Sequence, residues 1–198
     1  MTKVQMAGCV AMLGVAGMLT ACRVENHKDG NNDNVKIATP FGGMSVKTND
    51  NVVMEGLGLE VYPGATVVKK DKDNGAADVN MSFGKFSLRV KAVTMTTADS
   101  DAAVLAFYRK GLGRYGDVIE CHGSTAVGPA STHEGLTCDK NKGVHVTDND
   151  KAKVELKAGS QKHQHIVAIE PPEAGRTKFA LVALDLPGNM SSDDDEKQ

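Results

Sequence analysis

Residues 86–95 read FSLRVKAVTM, in which Leu88, Val90 and Ala92 alternate with Arg89 and Lys91. Successive side chains of a strand point to opposite faces, so this period of two predicts a strand with one face buried and the other wet. Shorter stretches of the same kind occur at 35–39, 44–48, 117–121, 154–157 and 179–186, while 166–169 is apolar on both faces. Turn chemistry separates them: 40–43 contains Pro and Gly, Tyr62-Pro63-Gly64 presets one φ and frees the next, and 159–162 and 171–175 are further Gly- or Pro-bearing turns. Connections this short favour antiparallel neighbours and predict a meander.

One segment is periodic in the helical sense. From 101 to 111, Val104, Phe107 and Tyr108, with Ala103 beside them and Leu112 after, make an apolar stripe. Asp99 or Ser100 is placed to cap its start, and Arg109 and Lys110 suit its C-terminal dipole. The expected fold class is therefore α+β: an antiparallel sheet with one main helix packed on one face. Composition agrees, since 21 Gly, no Trp and 4% aromatics favour turns and small side chains over a helical bundle, while 40% hydrophobic residues suffice for a core. A net charge of −2 lacks the basic excess of a nucleic-acid binder. No internal repeat is visible.

The N-terminus follows another logic. Lys3 precedes an uncharged stretch from 4 to 21, apolar mainly over 6–19 and diluted by Gly8, Gly14 and Gly17. This is too short and too weakly apolar for a membrane span and has the form of a secretion signal. It ends in Leu19-Thr20-Ala21-Cys22, which resembles the lipobox of bacterial lipoproteins. The resemblance covers about the first 22 residues and implies cleavage before Cys22, a diacylglyceryl group on its sulfur, and usually an acyl chain such as palmitate on the new amine. Two or three chains hold a protein on a membrane stably, where one is marginal. Arg23 follows where lipoproteins kept in the inner membrane commonly carry Asp, so the implied location is the outer membrane of the bacterial cell envelope. Cys9 would be lost with the signal.

The expected organisation is a signal peptide over 1–21, a lipidated Cys22 with a flexible tether to 34, one domain over 35–190, and an acidic disordered tail over 191–198. The tether, RVENHKDGNNDN after Cys22, holds one apolar residue; a flexible chain of its length spans about 20 Å r.m.s.. The tail, SSDDDEKQ, has four consecutive acids and no apolar residue.

Cys121 and Cys138 remain. In an exported chain two such thiols, 17 positions apart around a Gly-, Ser- and Thr-rich loop, are expected to form a disulfide; the alternative is two separately buried thiols.

The motifs of chemistry are decoys. Gly111-Leu112-Gly113-Arg114-Tyr115-Gly116 matches G-x-G-x-x-G but follows a helix and precedes a strand, the reverse of a dinucleotide site, and reads as helix termination at Gly111 or Gly113. Asp71-Lys72-Asp73-Asn74-Gly75 resembles a calcium loop, yet its glycine comes one position early and position twelve is Ser82. Nucleophile-elbow, zinc-protease, C-x-x-C and Walker motifs are missing from the sequence.

Histidines are the remaining hint of a site. His163 and His165 would share one strand face, and His122, His133 and His145 lie mid-domain, so convergence on a metal with Glu155 or Asp148 is conceivable chemistry. The leading expectation has no catalytic residue, metal or other cofactor: a noncatalytic binding or structural module, anchored to the membrane through Cys22, whose partner is an envelope protein or a glycan. The alternative is a periplasmic metal-binding or catalytic domain using the histidines. The Tyr62-Pro63-Gly64-Ala65 turn and Phe107-Tyr108-Arg109 also resemble pieces of uncharacterised bacterial envelope proteins, but they are too short to carry a function.

Overall fold

The alternation of 86–95 becomes most of the longest strand among the described residues. The computed structural model describes residues 23–29, 32–69, 75–139 and 152–187. Within them β1 (Arg23–Asp29), β2 (Asn32–Thr39), β3 (Gly42–Lys47), β4 (Thr66–Val67), β5 (Ala76–Phe83), β6 (Phe86–Thr97), β7 (Ile119–His122), β8 (Thr125–Val127), β9 (Val154–Gly159), β10 (His163–Glu173) and β11 (Arg176–Asp185) form one sheet, accompanied by helices α1 (Asp50–Glu55) and α2 (Asp101–Leu112). Every strand pairing is antiparallel. The strand order is β1-β2-β3-β5-β6-β11-β10-β9-β7-β8, with β4 also on β6.

An antiparallel sheet with one main helix is thus the architecture, but a simple meander it is not. After β6 the chain leaves through α2, builds β7 and β8 at the far edge, and returns through β9 and β10 so that its last strand, β11, closes against β6. A second departure concerns 23–34. Instead of a tether, Arg23–Asp29 pairs antiparallel with residues 32–38 of β2, with Arg23 opposite Ala38 and Val24 opposite Ile37. Polar composition suggested a flexible chain, but an edge strand needs only backbone pairing and tolerates charge on its open side. The expected 171–175 loop is also shorter: β10 runs through Pro171 and Pro172 with a register shift between Glu170 and Glu173. The signal segment 1–21, Cys22, residues 71–74, His145, Asp148 and the tail 191–198 lie outside the described residues.

The predicted helix forms as read. The Ser100 side chain accepts from the Ala103 amide, and Val104, Tyr108 and Leu112 are its buried residues, spaced four apart. They pack with Leu156, Val167, Phe179, Leu181, Val93 and other residues into the main core on the helix side of the sheet. The opposite face buries Ile166, Ala168, Ala180, Val182 and Leu184. There Cys121 and Cys138 are joined by a disulfide, Cα atoms 5.5 Å apart, with Ile119 and Leu136 packed around them. Closing a loop of this length is worth about 3 kcal/mol.

Tyr108 ties the layers together. Its ring lies 5.0 Å from Phe107 and 5.8 Å from Phe179, its side chain is buried, and its hydroxyl accepts from the Tyr62 amide at 3.1 Å. Tyr62 in turn meets Phe107 edge to face and donates its hydroxyl to Asp99. Tyr108→Phe removes the acceptor of a buried amide and should lower unfolding free energy by about 1–3 kcal/mol. Urea titration of variant and parent checks this; an unchanged midpoint would mean the hydrogen bond is not structural.

Candidate functional site

The helix-facing side of the sheet changes character along its length because register aligns like with like. Ala76, Val93, Leu181, Val167 and Leu156 form an apolar row across five strands. The next row reads Asp78, Lys91, Ala183, His165 and Ala158, and beyond it stand Asn80, Arg89, Asp185 and His163. Arg89 donates to both Asp78 oxygens, at 3.3 and 3.0 Å, and Lys91 lies 4.0 Å from the same carboxylate. Asp78 is itself buried, so these cations supply the compensation its charge requires.

Helix α1 and the turn after it roof part of this polar end. The Asn49 side chain accepts from the Val52 amide and caps α1, while Val53 and Leu57 drop into the core. Gly58 follows at φ +70°, and a Cβ there would come within 2.7 Å of the Tyr115 hydroxyl, so both conformation and space call for glycine. Its carbonyl accepts from the Tyr115 hydroxyl and from Arg114. The Tyr115 ring stacks on His165, centroids 3.7 Å apart and planes within 14°, and the Arg114 guanidinium lies 4.9 Å from the Tyr115 centroid. Burial first, and the Arg114 charge second, hold the His165 pKa below its ordinary value.

A groove opens beside this stack. It encloses about 400 Å³ and is lined by Leu59 and Glu60 from the turn and by Phe107, Tyr108, Lys110, Gly111 and Arg114 from α2 and the 3₁₀ turn behind it. Phe107, Lys110, Gly111 and Arg114 stand at i, i+3, i+4 and i+7, the stripe adjoining the one that enters the core. The volume is that of a small-ligand pocket. Its apolar wall with a rim of two cations and Glu60 suits a ligand with an apolar body and an anionic group.

Among the described residues the histidines are not gathered into one cluster. His163 is exposed and contacts Asp185 at 2.8 Å. His122 pairs with Glu120, whose carboxyl is held below its usual range by His122 and then by Arg109. His133 pairs with Asp117, which raises the imidazole pKa and lowers that of the carboxyl. Glu155 cannot join His163 and His165, because its parity on β9 puts it on the other face of the sheet, 3.2 Å from the buried Lys157. Among the described residues no three His, Cys, Asp or Glu side chains are grouped to hold a metal ion. Among the same residues no helix is long and apolar enough to cross a membrane.

Of the predicted site residues, the cysteines are brought together, and His163 and His165 do share a face but take different partners. The groove was missed, although its helical spacing from Phe107 to Arg114 was available; Arg114 and Tyr115 were hidden inside the false glycine motif. No protein-family model matches the chain, and neither a curated protein nor a solved structure matches it.

The His165 imidazole should titrate below 6.5. Because its folded pKa is depressed, its contribution to stability is complete above that value and is lost as pH falls through the folded pKa. In Arg114→Gln the midpoint should move up, read from the ring-proton shift by NMR. A parent midpoint at or above the ordinary value would contradict the buried, stacked arrangement.

Proposed function

We propose that this chain is a bacterial envelope lipoprotein, anchored to the outer membrane through Cys22, whose α+β domain is a noncatalytic binding module. The observation that carries the binding role is the groove between Leu59-Glu60 and α2, with its apolar wall and its Lys110 and Arg114 rim. The lipobox supports the anchor. The ligand class that fits the groove is amphipathic and anionic, on a protein or glycan of the envelope or as a free molecule.

Gly111 offers a clean test, because a Cβ there meets nothing within 4 Å and the position is helical. Gly111→Leu should fill the groove and raise helix stability by up to about 1 kcal/mol. Full-length protein extracted in detergent from membranes of the native host is expected to start at Cys22 with added diacylglyceryl and acyl mass, which Cys22→Ser lacks. Native mass spectrometry of the same preparations should show a bound species on the parent that Gly111→Leu loses without a fall in Tm. An unacylated parent chain would remove the anchor; equal occupancy in both proteins would remove the groove as the binding site.

A further inference from the structure

Two hairpin tips stand side by side at one end of the sheet. The β2–β3 turn presents Phe41, 84% exposed, and the β5–β6 turn presents Phe83, 48% exposed. Register makes them neighbours: Gly42 lies opposite Phe83, and the Gly84 amide donates to the Phe41 carbonyl. The tips also project. Strand β6 pairs with β11 only as far as Arg89 and continues three residues to Phe86, about 10 Å beyond that pairing.

An aromatic ring this exposed at a loop tip costs solvation free energy unless something covers it. Three observations identify the cover. First, the described chain begins there: β1 starts at Arg23 opposite Ala38, three residues before Phe41, so the residue that follows Cys22 in the sequence lies at this end of the sheet. Second, the tip segments 38–45 and 79–88 contain no Asp or Glu and carry Lys85. Third, the surface behind the tips is apolar on the helix-free face, where register lines up Val24, Ile37, Met44, Met81 and Leu88 across five strands, none of them fully buried. Exposed aromatic rings beside a lysine, with no acid in the tip segments, are the composition of a surface that seats in lipid headgroups.

We infer that Phe41 and Phe83 enter the lipid surface, so that the sheet stands end-on against the bilayer. The occupant is the membrane in which residue 22 is held, and to that extent the inference rests on the anchor reading above. Lys85 then meets anionic headgroups, and the groove beside α2 is held at a set height and orientation from the membrane.

The chain contains no tryptophan, which makes single reporters clean. Phe41→Trp, Phe83→Trp and, as a control, Val127→Trp on the far edge strand would be purified full-length from host membranes. Each is reconstituted into phosphatidylethanolamine–phosphatidylglycerol vesicles with and without brominated acyl chains. The expected result is blue-shifted emission at 41 and 83 that loses more than half its intensity to bromolipid, with the reporter at 127 unaffected. Unquenched emission at 41 and 83 in protein whose intact mass carries the acyl groups would overturn the inference and leave the anchor standing. Blue-shifted but unquenched emission that reverts on dilution would also overturn it, assigning the tips to a second copy of the chain. Quenching at 41 and 83 in protein of unacylated mass would uphold the contact and remove the anchor reading instead.

Discussion

The hydroxyl of Tyr108 is where the two layers of this protein meet. The ring is buried among Phe107, Tyr62 and Phe179, one each from the helix, the turn after α1 and the last strand, and the hydroxyl satisfies an amide of that turn. A phenol buried this deeply is kept neutral, its pKa pushed well above the ordinary value by desolvation. Its position fixes the distance between α2 and residues 59–62, and that distance is the width of the groove. The groove is therefore a consequence of core packing, held open because Gly111 brings no side chain into it.

Strand parity explains most of the remaining organisation. On the helix side β5 and β6 contribute apolar residues to the core row and polar residues beyond it, giving a core that passes into the Asp78, Lys91, Arg89 and Asp185 strip. The other face is apolar along its middle and becomes half-exposed toward β1. Lys157 and Glu155 interrupt that face as a buried pair, an arrangement whose desolvation offsets much of its Coulombic gain. Parity also separates Glu155 from His163 and His165, so that part of the constellation suggested by linear spacing does not come together.

What was legible in the sequence was local. Period two over 86–95, the Ser100 cap with its apolar stripe, the Tyr62-Pro63-Gly64 turn and the Cys121–Cys138 pair all depend on neighbours within a few residues or on export chemistry, and each has its counterpart in the structure. What was not legible depends on distant pairing. Strand β1 looks like a polar linker because only its backbone pairing with β2 makes it a strand. Helix α1 has six residues, too few to show a period, and exists because Val53 and Leu57 reach the core. One neighbour of β6 is β11, some ninety positions on, and no local pattern encodes that choice. The groove needs both the helix stripe and the turn across from it, so half of its lining was invisible until the fold brought it there.

The conversion of the expected tether into strand β1 carries the most weight, since it brings Arg23 to the aromatic end of the sheet. Cross-strand NOEs in the full-length protein measure it directly. The account predicts contacts joining Val24 to Ile37 and Asn26 to Val35, with extended-backbone shifts throughout Arg23–Asp29. Random-coil shifts and no cross-strand contacts over those residues would contradict it, restoring a flexible linker.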